Sequence, residues 1–174
     1  MQASTTPAPR KRLRLMIGAA LLAVLATFGY LSISNAKPAP QLTYQTITGE
    51  TITPANLKGR VVMVNFWATS CTTCVAEMPQ MVQTYNKYKG QGLEFVAVAM
   101  SYDAPNYVVN FAETRALPFK VVMDLKGDIA SAFGKVQLTP TTFVIGKDGK
   151  VIRRYVGIPD FTELHLLLDK AVKA

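Results

Sequence analysis

Along Val61-Val62-Met63-Val64-Asn65-Phe66-Trp67 the chain is almost uninterruptedly apolar and rich in β-branched and aromatic residues. A strand with that pattern has no polar face to offer water, so it belongs in the middle of a sheet covered on both sides. Directly afterwards the period changes. Val75, Met78, Met81, Val82, Tyr85 and Tyr88 recur at spacings of three and four, with Glu77, Gln80, Lys87 and Lys89 between them. This predicts an amphipathic helix over about 72–88. Pro79 lies inside it and removes one backbone hydrogen bond, so a kink is expected there rather than a break.

The flanking segments read in the same way. Leu42, Tyr44, Thr46 and Ile47 flank a Gly49-Glu50 turn, which predicts an N-terminal β-hairpin, and Thr53-Pro54 opens a short helical turn. Residues 94–100 read as a second, parallel strand. Asp103-Ala104-Pro105 reads as a helix start, with Tyr107, Val108, Phe111 and Ala112 on one face, and 119–123 as the strand that follows. Segments 142–145 and 150–155 flank Lys147-Asp148-Gly149, whose Asp-Gly pair signals a tight antiparallel hairpin. Asp160 and Glu163 have the spacing of a capping box for a closing helix that buries Phe161, Leu164, Leu168 and Ala171. His165 lies beside that stripe and reads as a partly buried structural residue.

The N-terminus follows another rule. Arg10, Lys11, Arg12 and Arg14 precede an uncharged apolar stretch, 15–33, long enough to cross a bilayer core of roughly 30 Å. The expected organisation is a cytoplasmic basic segment (1–14), a transmembrane signal anchor (15–33), a linker (34–41) and one exported domain (42–174). Ser34-Asn35-Ala36 has the small residues of a cleavage site, which leaves a removed signal peptide as the rival reading. A cleavable apolar region usually spans about 7 to 15 residues, so the longer stretch here favours the retained anchor. Lys37-Pro38-Ala39-Pro40 reads as a stiff, exposed linker. The net charge of +8 comes largely from this end, because Arg10, Lys11, Arg12, Arg14 and Lys37 account for five of its charges. The mildly basic remainder, with Arg153 and Arg154 on opposite strand faces, does not form a nucleic-acid surface.

The chemistry lies between strand and helix. Cys71 and Cys74 are the chain's two cysteines, and they stand three apart at the start of the predicted helix. A zinc site needs about four ligands, and His165 alone cannot complete one with the thiols. At a helix N-terminus the free N–H groups and the dipole stabilise a thiolate, so Cys71 reads as the nucleophile and Cys74, inside the first turn, as the resolving thiol. A purely structural disulfide and a Cu(I) carrier using both thiolates stay open on these residues alone.

The stretch Asn65-Phe66-Trp67-Ala68-Thr69-Ser70-Cys71-Thr72-Thr73-Cys74-Val75-Ala76-Glu77-Met78-Pro79 resembles the signature of the TlpA/ResA-like, membrane-tethered thioredoxin family. The likeness extends to Leu57-Lys58-Gly59-Arg60, to Thr139-Pro140-Thr141-Thr142-Phe143-Val144-Ile145, to Asp148-Gly149-Lys150-Val151 and to Tyr155-Val156-Gly157. It implies a thioredoxin-like α/β fold: a mixed central sheet flanked by helices, an N-terminal β-hairpin and a central strand-helix insertion, preceded by one transmembrane helix. It also implies that the Thr139-Pro140 bond is cis and faces the cysteines, leaving a backbone edge for substrate, and that Trp67 joins Thr139 and Pro140 in substrate binding. Glu77 resembles the acid that this family holds near its cysteines. It lies three residues after Cys74, on the same helix face, whereas Asn65 cannot exchange a proton at physiological pH.

Two positions depart from the family pattern. Ser70 stands where a tryptophan is usual, and Thr72-Thr73 where proline is common, which alters the docking surface and the stiffness of the turn. The resemblance implies a monomeric thiol-disulfide oxidoreductase, without a cofactor, in the bacterial cytoplasmic membrane with its catalytic domain outside. Its substrates would be exported proteins such as apocytochrome c or copper-site precursors, with electrons from a membrane thiol-disulfide donor. A DsbA-like oxidant is the alternative in the same class, but no positive charge lies between the cysteines to favour it. A peroxidase of the peroxiredoxin type needs Thr or Ser three positions before the reactive cysteine, where Ala68 stands.

Overall fold

The computed structural model describes residues 16–21, 23–24 and 37–174. The chain divides into two units, Met1–Ala36 and Lys37–Ala174. In the first, residues 16–21 and 23–24 are helical. The expected anchor, 15–33, and the Ser34-Asn35-Ala36 motif fall largely outside the described residues, and no helix among those described is long and apolar enough to cross a membrane.

The second unit runs β1 (Tyr44–Gln45), β2 (Thr51–Ile52), α1 (Pro54–Leu57), β3 (Val61–Trp67), α2 (Thr72–Tyr88), β4 (Leu93–Ala99), α3 (Pro105–Thr114) and β5 (Lys120–Met123). It continues with α4 (Asp128–Ala132), β6 (Thr141–Ile145), β7 (Val151–Val156) and α5 (Phe161–Ala171). β1 and β2 form the expected hairpin, and the main sheet has the order β5-β4-β3-β6-β7. β3, β4 and β5 are parallel, while β6 and β7 return antiparallel. This is the mixed sheet of a thioredoxin-like fold, with β3 at its centre.

Burial of β3 on both faces divides its residues by parity, because successive side chains of a strand point to opposite sides. Val61, Met63 and Trp67 join a core with Met78 and Met81 of α2, Val108 of α3 and Leu164 and Leu168 of α5. Val62, Val64 and Phe66 join a second core with Tyr44 and Ile52 of the hairpin, Phe133 and Phe143. Phe66 meets the last two edge-on, with ring centroids 5.4 and 5.9 Å away. Asn65 is fully buried and has the parity of the α2 side.

α2 runs unbroken through Pro79. The Asp-Gly hairpin between β6 and β7 forms with Gly149 at φ 77°, a backbone angle that glycine adopts without a Cβ clash. At the closing helix Asp160 accepts from the N–H groups of Thr162 and Glu163, but Glu163 does not reach back and instead pairs with Arg153. His165 sits 2.9 Å from the Thr84 hydroxyl and edge-on to Tyr88, and burial lowers its pKa. It is a packing residue. In the ladder, Arg153 lies opposite Val144 and Arg154 opposite Phe143, and those two partners belong to different cores.

The segment expected as an exposed linker is docked. Pro38 bridges to Lys150, Ala39 donates to the Gly149 carbonyl at 2.9 Å, Val151 donates to that of Lys37 at 2.9 Å, and Ala39 is buried. Pro38 lacks an N–H, but the bonds on either side use its neighbours' groups, so proline does not prevent the edge pairing.

α4 is an element that hydrophobic spacing did not predict. Its N-terminal N–H groups are held by Asp124, only 3% exposed, which accepts from Ile129 at 3.0 Å and Ala130 at 2.8 Å. Asp124→Ala leaves two N–H groups without an acceptor in a buried place and is expected to lower the unfolding free energy by about 2 kcal/mol. Asp124→Asn, which keeps an acceptor oxygen, is expected to lose less than half of that. Urea denaturation followed by circular dichroism measures both; an alanine variant as stable as the parent would show that the cap contributes nothing.

Candidate active site

The β3–β4 ladder extends one step past β3, where the Trp67 carbonyl accepts from Met100 N–H at 2.9 Å. The chain then turns through Ala68, Thr69 and Ser70, and Cys71 N–H closes the turn on the Ala68 carbonyl at 3.1 Å. Cys71 becomes the N-cap of α2. Its Sγ accepts the Cys74 backbone N–H at 3.2 Å, a position more often served by an oxygen. The two cysteines form a disulfide with Cα atoms 5.2 Å apart. Cys74 is fully buried and Cys71 only partly so, which leaves Cys71 as the sulfur a partner can reach.

On reduction, the N–H at Cys71 Sγ and the helix dipole remain aimed at the sulfur. Both favour its thiolate. The Thr73 hydroxyl lies 3.3 Å from the same sulfur and supplies a second, neutral donor that the spacing of the cysteines did not reveal.

The turn before Cys71 is clamped from outside. Asp103, 8% exposed, accepts from Thr69 N–H at 2.5 Å and from the Thr69 hydroxyl at 2.6 Å. Asp103 therefore does not cap α3 as its sequence context suggested. Ala104 holds the N-cap position, and the Asp103 carboxylate serves the cysteine loop, 34 residues away in sequence.

A small polar cluster joins β3, β6 and the helix that carries Cys74. The register of β3 on β6 places Asn65 opposite Thr142, and Asn65 Nδ2 donates to Thr142 Oγ1 at 2.9 Å and to Glu77 Oε1 at 3.0 Å. Glu77 is 1% exposed, one helical turn beyond Cys74. Among the described residues, Glu77 Oε2 and Asn65 Oδ1 have no hydrogen-bond partner. A buried carboxylate with a single donor is poorly compensated, so burial pushes the Glu77 pKa from 4.5 up to about 7, against the opposing pull of the Asn65 bond. An acid poised there can both take and return a proton at neutral pH.

The Thr139-Pro140 bond is cis. It immediately precedes β6, whose first residue, Thr141, pairs with Phe66 near the end of β3, so the proline loop and the cysteine loop share one end of the sheet. Pro140 is buried and its carbonyl accepts from Gly157 at 2.8 Å. Among the described residues, the backbone N–H and C=O of Thr139 have no partner.

Trp67 does not fit the expectation of a substrate contact. Its parity on β3 turns it inward, where it is 0% exposed and packs on Phe111 with centroids 5.1 Å apart. It supports the site from within the core.

A partly exposed cysteine at a helix N-terminus, bonded to a buried one and backed by a titratable acid, is the working end of a thiol-disulfide oxidoreductase. The redoxin family profile matches residues 34–166, and the chain belongs to that family. It is 34% identical to the thiol-disulfide oxidoreductase ResA of Bacillus subtilis over 167 residues, covering 90% of this chain and 92% of that protein. It is 36% identical to ResA of Bacillus cereus over 146 residues, covering 82% and 83%. The solved thiol:disulfide interchange protein of the thioredoxin family from Chlorobium tepidum superposes with a TM-score of 0.73 at 30% identity, covering 79% of this chain and 97% of that one. This chain is likewise a thiol-disulfide oxidoreductase.

In the reduced protein near neutral pH, Cys71 is expected to react with iodoacetamide at least about tenfold faster than Cys74. A short alkylation pulse followed by peptide mapping reads the ratio, and equal labelling would remove the distinction between nucleophile and resolving thiol.

For Glu77, a folded-state pKa raised from 4.5 to about 7 means that the folded protein binds this proton more tightly than the unfolded chain. The stability so conferred is fully present below about pH 4.5 and is lost as pH rises through about 7. Glu77→Gln keeps an acceptor for Asn65 and removes the titration. Relative to wild type it should gain stability across that window, by up to about 3 kcal/mol, and should shift the pH profile of Cys71 alkylation. Denaturation at pH 4.5 and pH 8, with the alkylation profile alongside, is the check; unchanged differences and superimposable profiles would make Glu77 a passive residue.

Proposed function

We propose that this protein is a membrane-tethered reductase of disulfides in exported polypeptides. The observation that carries the reading is the pairing of a reachable Cys71 with a buried Cys74 and a buried acid one turn further on. In the reduced enzyme the Cys71 thiolate attacks one sulfur of a substrate disulfide. That bond breaks, the first substrate sulfur leaves as a thiolate, and a mixed disulfide forms. Cys74 gives its proton to the Glu77 carboxylate and attacks Cys71 Sγ. The second substrate thiolate leaves, Glu77 returns the proton, and the enzyme is left with the Cys71–Cys74 disulfide. Two electrons pass to the substrate together with the one proton that Cys74 held; the other substrate thiolate takes its proton from solvent, and a membrane thiol-disulfide donor restores the reduced enzyme.

The reductive direction is supported by what surrounds Cys71. The donors at its sulfur, the Cys74 N–H and the Thr73 hydroxyl, are neutral, and no cationic side chain lies between the cysteines. A strong oxidant needs its thiolate stabilised much further. The tether is supported by Arg10, Lys11, Arg12 and Arg14 followed by the apolar stretch 15–33, a pattern that orients the domain outward from the bacterial cytoplasmic membrane. Substrates of this class are oxidised cysteine pairs such as those of apocytochrome c before haem attachment or of a copper-site precursor.

Cys74→Ser cannot resolve the mixed disulfide and retains the substrate on Cys71. In salt-washed membranes from the native host, non-reducing gels should show adducts with exported cysteine-pair proteins that dithiothreitol releases. Recovery of the variant as a soluble protein starting at Lys37 would refute the tether, and a free Cys71 with no exported protein attached would refute the substrate class.

A further inference from the structure

The loop after β4 touches both halves of the active site. Asp103 holds Thr69, two residues before Cys71, and its neighbour Tyr102 reaches the other way, with its hydroxyl 3.3 Å from the Thr139 hydroxyl. The loop is itself closed by Asp103 N–H on the Met100 carbonyl at 2.9 Å. Tyr102 is nevertheless 60% exposed. The ring lies on the surface with its hydroxyl at the cis-proline loop, and the next residue, Asp103, bonds through its side chain to the cysteine loop, so Tyr102 is placed between the two loops. It does not form part of a core. Leu138, next to Thr139 in the chain, is also exposed, at 64%.

Other aromatic candidates for contact with a substrate are absent where they were expected. Position 70 is serine, and Trp67 is sealed in the core. The unpaired backbone of Thr139 offers hydrogen bonds to an extended chain but cannot distinguish one side chain from another.

We propose that Tyr102 is a specificity-determining residue, whose ring packs against an apolar side chain flanking the substrate cysteine while the substrate backbone bonds to Thr139. The occupant is an extended polypeptide segment whose disulfide cysteine has an aromatic or large aliphatic neighbour. This rests on the reading that polypeptide disulfides are the substrates. Tyr102 touches substrate without taking part in proton or electron transfer, so its contribution falls on binding rather than on the sulfur chemistry.

The test uses pre-reduced full-length enzyme in single turnovers with two oxidised Cys-x-x-Cys peptides that differ only in carrying Phe or Ser on the outer flanks of the cysteines. Wild type should favour the Phe peptide by about fivefold at low concentration, the size of one aromatic contact, with the difference in the half-saturating concentration rather than in the maximal rate. Tyr102→Ser should bring that ratio close to one, and Tyr102→Phe, which keeps the ring, should preserve it. A ratio that persists in Tyr102→Ser overturns the proposal. So does a parallel fall in maximal rate for both peptides, which marks the ring as support for the loops. If wild type reduces neither peptide while Cys71 still alkylates at its normal rate, the polypeptide-substrate reading itself fails, and the proposal fails with it.

Discussion

The chemistry at this site depends on the register of β3 in a sheet that is buried on both faces. Because side chains alternate, a slip of one residue would turn Asn65 and Trp67 away from α2 and present Val64 and Phe66 instead. Parallel pairing with β4 and antiparallel pairing with β6 hold the register over the strand's length. The step that aligns Asn65 with Thr142 also delivers Asn65 to Glu77. The fold and the surroundings of the Glu77 carboxyl are thus specified by the same ladder of backbone hydrogen bonds. A mutation in β3 that disturbed packing would also disturb the environment of Glu77.

A second constraint acts where the strand hands over to the helix. Only Ala68, Thr69 and Ser70 separate Trp67 from Cys71, so the position of the sulfur follows directly from the path of that turn. Asp103 fixes this path from a different strand's loop, with two hydrogen bonds to one residue. A clamp of this kind limits the reorganisation needed when the disulfide opens, because it holds the turn that positions Cys71 against the Cys74 N–H. Glu77 works in the opposite sense. Its burial destabilises the ionised form in the fold, and that cost keeps its proton exchangeable near neutral pH.

Much of this was legible in the residues. β3 and α2 carry long, unambiguous periods, the Asp-Gly hairpin has local turn chemistry, and the cysteines mark the junction between strand and helix. What escaped depends on partners distant in sequence. α4 has five residues and takes its cap from Asp124, four positions before it begins, so neither period nor local capping pattern announces it. Asp103 stands where a helix cap is expected, yet tertiary contact recruits it to Thr69. The family resemblance put Trp67 among the substrate-binding residues, although its parity on a strand covered on both faces already placed it with Asn65 on the inner side. The docking of Lys37 and Ala39 on the β6–β7 hairpin is edge pairing, which uses backbone groups and leaves no trace in side-chain composition.

The replacements at Ser70 and Thr72-Thr73 act on separate properties of the enzyme. Without proline between the cysteines, every N–H of the first turn is retained, and the bond from Cys74 N–H to Cys71 Sγ does not depend on what lies between. Thr73 adds a hydroxyl to that sulfur. In the disulfide Cys71 has no hydrogen, so this hydroxyl is the donor, and its interaction strengthens when the sulfur gains charge on reduction. Neutral donors favour the thiolate less than a neighbouring cation does, so the dithiol stays a better electron donor than in a strongly oxidising relative. Serine at position 70 is exposed and makes no hydrogen bond to the Cys71 sulfur. The first turn of α2 thus supplies the donors that meet the Cys71 sulfur, while position 70 and the loops facing it form the surface around that sulfur.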